Sequence, residues 1–317
     1  MLSRRLLRIK ALICLYAYNR RDDGDLAKAE NELMFSINKS YELYFYLLLL
    51  ILELADVALE KINFGLRKKM PSKEDLNPNR RFVDNRVIAQ LRINNALKQY
   101  QESKRISWNI NPDLPKILYN QMVKWEPYIK YMNDEKTGYS EDKKFITKLV
   151  TDFFPSSEEL LNAFEEQSIY WNDDIDYISL MVEKTLKKFK ANSGPEVPLM
   201  PLFKNEDDEH FVKHLFRQAI LKAKQNIELI DRNTTNWEVE RIALMDRLVM
   251  QLAITEIVEF EEIPVKVTLN EYIEIAKQYC TSKSSNFVNG ILDKIVKEMR
   301  EKGLFRKSGR GLLGETE

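Results

Sequence analysis

The sequence contains two histidines and one glycine-rich segment that could take part in chemistry, but neither forms a complete metal or cofactor site. His210 and His214 are spaced i, i+4 beside the acids of residues 207–209, so one helix would place two imidazoles near carboxylates. A zinc site of this kind needs an inner glutamate and a third ligand, which this sequence does not supply. We interpret the pair as surface histidines and predict no metal site.

The segment 309–314 reads GRGLLG and has the GxGxxG spacing of a dinucleotide-binding loop. Such a loop follows a strand and opens a helix, but no strand precedes this segment and no helix follows it. The sequence also lacks a nucleophile paired with a base. We therefore predict that the chain binds no cofactor, has no catalytic residue and is not an enzyme.

The helix predicted from Arg4 to Tyr18 carries a basic face that suits an anionic partner. The first 21 residues contain six basic side chains and no acid. At about 100° per residue, Arg4, Arg5 and Arg8 share one arc of the helix, where they would neutralise phosphates and release counterions. The alternative interpretation is a face that only keeps the helix soluble.

A second candidate for anion binding is the hydroxyl-rich segment Thr281–Ser285, at the start of the helix predicted over 283–301. Free backbone N–H groups and the helix dipole favour phosphate there, and Lys283 and Ser284 add a cation and a hydroxyl group. Phe287 lies one turn further, at the edge of the apolar stripe, where an unpaired base could stack on it. The ordinary alternatives are an N-cap for the serines and core packing for Phe287.

Composition predicts that helices hold these side chains. Nine glycines and ten prolines in 317 residues are few, and 44% of the residues are apolar, as in a folded helical chain. Two isolated cysteines suggest a reducing cytoplasm rather than a disulfide framework. The longest apolar run, which contains Tyr44–Leu52, is shorter than the roughly 20 residues that a membrane-spanning helix needs. We expect a buried helix there and no membrane association.

Charge and proline patterns divide the chain. Residues 26–66 are predicted to form one long apolar helix or a helix pair, and residues 66–110 carry a net charge of +7 against −9 for residues 152–183. Opposite blocks of this kind are usually solvated faces, but they can also dock on one another. The stretch 191–208 contains three prolines and a glycine and ends in a run of acids, which predicts a domain boundary near residue 205.

Three segments resemble the NusB transcription antitermination family: RRLLRIKALICLYAY near the start, DRLVMQLAITEIVEFEEIPVKVTLNEYIEIAKQY, and above all SSNFVNGILDKI. The similarity extends over residues 1–20 and 209–297. It implies an all-α fold, a NusB-like helical bundle of two subdomains. It also implies pairing with the small ribosomal-subunit protein NusE on boxA-type single-stranded RNA, in the RNA polymerase antitermination complex that reads through ribosomal RNA operons.

The resemblance assigns roles to individual residues by position. The basic helix matches the family's arginine-rich RNA-binding helix, and Phe287 matches an aromatic residue at its RNA surface. Tyr16 matches the tyrosine of the ALY motif and Asp246 an acid that contacts the ribosomal partner, which makes both of them candidate partner-binding residues. Lys283 departs from the family because an acid often occupies this turn. With the serine segment included, the predicted RNA-binding residues are Arg4, Arg5, Arg8, Lys283, Ser284 and Phe287.

The chain is longer than the compact members of the family, and residues from about 22 to 205 have no counterpart in them. We therefore predict four parts: the basic RNA-binding helix 1–21, a large helical insertion 22–205, a C-terminal NusB-like domain 206–303 and a basic, flexible tail 304–317.

The predicted function is that of a cytoplasmic, bacterial RNA-binding antitermination factor. The alternative is a helical protein-interaction scaffold that kept the fold without RNA binding. An RNA methyltransferase, to which NusB-like modules are also fused, is disfavoured because no glycine-rich loop follows a strand.

Overall fold

The structure is a computed structural model that describes residues 1–21, 24–234, 242–281 and 284–313. Within these residues the chain is helical and contains no strand, which confirms the predicted all-α class. In the first half the helices are α1 (Arg4–Asn19), α2 (Leu26–Leu66), α3 (Lys73–Leu76), α4 (Arg86–Ile93), α5 (Asn95–Lys104), α6 (Leu114–Met122), α7 (Glu126–Asn133) and α8 (Tyr139–Lys148). In the second half they are α9 (Phe154–Ser156), α10 (Glu158–Gln167), α11 (Ile175–Lys188), α12 (Glu206–Leu221), α13 (Ala223–Asn233), α14 (Leu244–Glu259), α15 (Val265–Tyr279) and α16 (Ser284–Glu301).

The helices form two compact units. One contains Met1–Leu2 and Asn38–Leu202, and the other contains Ser3–Ile37 and Phe203–Glu317. The second unit resumes two residues before the boundary predicted near residue 205. It also includes the first part of α2, since Cys14 and Ser36 contact each other through their side chains and Arg217 pairs with Glu30.

The unit that contains residues 38–202 is built around the middle of α2. The apolar run that the sequence places in a buried helix is indeed helical, and its residues are at most 3% exposed from Leu43 to Ile51. A helix that is apolar on all sides must be covered on all sides. Trp108 and Trp171 provide part of that cover, because their indole N–H groups donate to the carbonyls of Tyr46 and Lys39 at 3.0 and 2.7 Å. None of the described helices is long and apolar enough to cross a membrane.

The other unit is built around α14. This helix is buried from Leu248 to Ile257 and packs against α1, α12, α13, α15 and α16. The sequence predicts one helix over 209–231, whereas the structure divides this stretch at Lys222 into α12 and α13. The sequence also predicts a helix over 236–259, and its predicted start, Asn236, lies outside the described residues.

The basic segment after α16 is packed against the end of α14. Lys307 is buried, and its ammonium group donates to the carbonyls of Ile257 and Phe260, both at 2.9 Å. A cation at this position complements the negative end of the helix dipole. Gly311 lies so close to Glu261 that an added Cβ would be 1.8 Å from its carbonyl oxygen. The described part of the predicted tail 304–317, which ends at Leu313, is therefore in close contact with the fold.

Replacing Gly311 by alanine should loosen this contact. The added methyl group overpacks the site, and we expect the free energy of unfolding to fall by about 1 to 3 kcal/mol, with faster amide hydrogen exchange at Ser308. Urea unfolding and hydrogen exchange measure both effects. Gly290→Ala is the matched control, because Gly290 is helical with open space around it, and it should raise stability by about 0.5 to 1 kcal/mol. Equal stability of the two variants would show that the segment does not dock.

Candidate nucleic-acid interface

The basic helix α1 begins at Ser3, whose hydroxyl group caps it by accepting from the Leu6 amide at 3.2 Å. Arg4 and Arg5 lie at its outer edge, and 42% and 40% of their side chains are exposed. Arg8 shares their arc but lies in the interior, at 3% exposure. Arg8 is buried because Arg8, Leu12 and Leu15 are spaced i, i+4 and i+7 and therefore lie on the face that α1 buries.

Arg8 is held in a buried ion pair with Glu256 of α14. Its Nε and Nη2 both donate to the carboxylate at 2.7 Å. Burial lowers the pKa of Arg8, but the charge of Glu256 and these two hydrogen bonds outweigh it, so the pKa lies above its ordinary value. Glu256 also accepts from the hydroxyl groups of Thr268 and Tyr272, at 2.9 and 3.1 Å. The buried carboxylate is therefore fully satisfied, as a buried charge must be.

Glu271 of α15 connects this pair to the surface. It accepts two hydrogen bonds from Arg5, from Nε at 3.0 Å and Nη2 at 2.8 Å, and lies 3.5 Å from Nη1 of Arg8. The hydrogen bond from Arg5 holds the pKa of Glu271 below its usual value. One carboxylate thus bridges the exposed and the buried arginine.

Arg4 is held by two residues of α12. Its Nε donates to Asp208 at 2.8 Å, and its guanidinium carbon lies 5.0 Å from the centre of the Phe211 ring. Asp208 and Phe211 are themselves buried. The two exposed arginines of α1 are therefore fixed by acids from two different helices.

The serine segment at the start of α16 is tied to Asp246. Ser284 is buried and donates to the Asp246 carboxylate at 2.8 Å, while its oxygen also contacts the Thr281 hydroxyl group at 2.8 Å. Asp246, a candidate partner-binding residue, is 7% exposed in this arrangement. Phe287 is half-buried on the first turns of α16. Lys283 lies outside the described residues.

Tyr16 and the histidine pair occupy other parts of the same unit. Tyr16 is half-buried, and Arg20 lies over its ring at 5.3 Å and donates to its hydroxyl group at 3.2 Å. His210 stacks on His214 with ring centres 5.3 Å apart, and His214 pairs with Glu259 at 2.8 Å. Among the described residues, no group of three or more metal-ligating side chains could hold an ion.

Sequence reasoning missed the acids that organise the arginines: Asp208, Glu256 and Glu271. One signal was available, because Glu256 is a charged residue within the apolar run of α14, where an acid requires a partner. No comparable signal marks Asp208, which stands among other acids at the start of α12.

The unit that contains residues 203–313 is an all-α bundle, and acids of α12, α14 and α15 hold the arginine-bearing helix α1 on it. The sequence profile of the NusB family matches residues 179–297. The transcription antitermination protein NusB of Salinibacter ruber is 42% identical over 115 residues, which cover 36% of this chain and 72% of that protein. NusB of Chloroherpeton thalassium is 50% identical over 93 residues, which cover 28% of this chain and 44% of that protein.

The chain belongs to the NusB family, as the resemblance of its sequence motifs predicted. A solved structure of T. maritima NusB is also similar, with 28% identity and a TM-score of 0.29, over 44% of this chain and 85% of that one. The family consists of non-enzymatic factors, in agreement with the prediction that the chain is not an enzyme.

Neutralising Glu256 should destabilise the unit strongly. In Glu256→Gln the buried Arg8 keeps its charge but loses the nearer of its two carboxylate partners, and removing the partner of a buried charge typically costs about 3 to 5 kcal/mol. Urea unfolding measures the loss. The control is Glu209→Gln, which breaks an exposed pair with Lys213 and should leave the unfolding midpoint close to that of the wild type. A small effect of Glu256→Gln would mean that the pair does not hold α1 in place.

Proposed function

We propose that the chain is a bacterial, cytoplasmic RNA-binding transcription antitermination factor. In this proposal it pairs with the small ribosomal-subunit protein NusE on boxA-type single-stranded RNA and promotes read-through of ribosomal RNA operons within the RNA polymerase antitermination complex. The name and the sequence identity of the Salinibacter ruber relative support the coarse assignment. The observation that carries RNA binding is the pair Arg4 and Arg5, held half-exposed on one helix.

Arg4 and Arg5 are proposed to contact phosphates directly, and Phe287 is proposed to stack on a base. Guanidinium groups attract the RNA backbone irrespective of sequence. A half-exposed aromatic ring accepts any unstacked base, because every base has a π face. Lys283, which lies outside the described residues, is proposed as a further cation that contacts the RNA.

Arg8, Ser284 and Asp246 are proposed to act from inside the fold. Arg8 would have to leave its buried pair with Glu256 before it could reach a phosphate, so its role is to hold α1. Ser284 and Asp246 hold the start of α16, which carries Phe287. Tyr16, which is half-buried, remains the candidate contact for the ribosomal partner.

Arg4→Ala and Arg5→Ala should each reduce the salt dependence of RNA binding. For single strands, each lost phosphate contact lowers the slope of log affinity against log salt by about 0.7. Titrating a fluorescent boxA-type RNA at several salt concentrations, with and without NusE, measures this slope. The double variant should lose about twice as much. Because it also removes the arginine partners of Asp208 and Glu271, urea unfolding is recorded in parallel and the slopes are compared under conditions in which both proteins are folded.

The same titration tests the scaffold alternative. The pairing of both exposed arginines with acids favours that alternative, because a paired cation attracts phosphate less than an isolated one. An unchanged salt slope in the Arg4/Arg5 double variant, combined with normal NusE binding, would favour the scaffold over the RNA-binding factor.

Phe287→Ala separates stacking from packing. If Phe287 stacks on a base, RNA affinity should fall by about 1 to 3 kcal/mol, with a smaller loss of folding stability because a half-buried ring leaves little cavity. If it is a core residue, stability should fall by about 3 to 5 kcal/mol, and the remaining folded protein should bind normally. Urea unfolding and RNA anisotropy on the same variant distinguish the two results, and the second result would remove Phe287 from the RNA surface.

A further inference from the structure

We infer that Asp208 is a positioning residue for RNA binding: its carboxylate holds the Arg4 guanidinium so that the outer edge of this group faces the phosphate backbone. The inference rests on the proposed function, and it assigns to an acid a role that favours an anionic ligand. Simple electrostatics would suggest the opposite, since a carboxylate near an RNA surface repels phosphate.

The geometry of the pair argues for positioning. A guanidinium group has two edges that can each bind an oxyanion in a fork: Nε with one terminal nitrogen, and the two terminal nitrogens together. Asp208 takes the Nε edge at 2.8 Å. Among the residues that the structure describes, no hydrogen bond engages the terminal nitrogens of Arg4, and 42% of its side chain is exposed.

The surroundings of the pair make the arrangement rigid. Phe211 lies under the guanidinium group at 5.0 Å, so Arg4 is fixed at one edge and on one face. Asp208 is only 8% exposed, and its own amide donates to the Asn205 side chain in the cap of α12. An arginine anchored by a buried, capped acid has already lost most of the rotamer freedom that RNA binding would otherwise remove.

Arg5, the next residue of α1, is also bound through its Nε edge, in its case by an acid of α15. Glu271 engages its Nε edge with two hydrogen bonds, and 40% of the Arg5 side chain is exposed. Both arginines of the candidate interface are thus held by the same edge, which is the arrangement expected if the acids orient the arginines for a ligand.

The test is a double-mutant cycle on Arg4 and Asp208, read by the anisotropy of a fluorescent boxA-type RNA. Immobilising one long side chain is worth about two- to tenfold in affinity. Asp208→Ala should therefore weaken binding by about that factor, and Asp208→Asn, which keeps an oxygen acceptor for Nε, should bind as well as the wild type. In the Arg4→Ala background, Asp208→Ala should have no further effect.

Glu206→Ala is the matched control. It removes a negative charge from the same first turn of α12, and Glu206 is exposed. We expect affinity equal to or slightly above that of the wild type. If Asp208→Ala behaves in the same way while Arg4→Ala still weakens binding, the inference is wrong and the proposed function stands. If Arg4→Ala has no effect, the inference is wrong and Arg4 is not an RNA contact, and the salt slope of the Arg4/Arg5 double variant then decides the proposed function.

Arg4→Lys tests the orientation without altering α12. The variant keeps one cation, so the salt slope should not change, but lysine lacks the planar fork that Asp208 can orient. We expect two- to tenfold weaker binding at constant slope. Wild-type affinity of Arg4→Lys would overturn the inference even if the Asp208 variants fold poorly.

Discussion

The buried ion pair between Arg8 and Glu256 is the interaction on which the candidate interface depends. Two buried charges are tolerated only when each finds its partners, and here the carboxylate accepts from Arg8, Thr268 and Tyr272. These donors come from α1 and α15, whereas the acceptor belongs to α14. The pair therefore fixes the position of α1 on the unit that contains residues 203–313, and with it the positions of Arg4 and Arg5.

The three arginines of α1 differ in how far their side chains are exposed. Arg8 is buried and fully compensated, while Arg4 and Arg5 are half-exposed and each is bonded to one acid. Glu271 touches both the buried and the exposed arginine, so the interior and the surface share one network. The acids in such a network weaken the attraction between the arginines and a phosphate, but they also fix the positions of the guanidinium groups. In the proposed function, this fixed geometry would favour an RNA whose phosphates match the spacing of the arginines.

The sequence predicted the helical class, the family and the long buried helix, because composition, motifs and apolar runs depend on local chemistry. The spacing of Arg4, Arg5 and Arg8 predicted that they share one face of a helix. It could not predict that Arg8 is buried while the other two are half-exposed. That outcome depends on Glu256, which is 248 residues away in the sequence. The burial of Asp246 beneath Ser284 has the same origin in a distant contact. Long-range pairs of charged and polar residues decide exposure here, and periodicity within one helix carries no information about them.

In the proposed function, Arg8 supports the interface from inside the fold while Arg4 and Arg5 touch the RNA. Nuclear magnetic resonance of the arginine Nε–Hε groups, recorded during titration with boxA-type RNA, tests it most directly. The Arg4 and Arg5 signals are expected to shift, while the Arg8 signal stays in place and remains protected from exchange with water. An Arg8 signal that shifts as far as the other two, or that loses its protection when RNA binds, would contradict this division of roles.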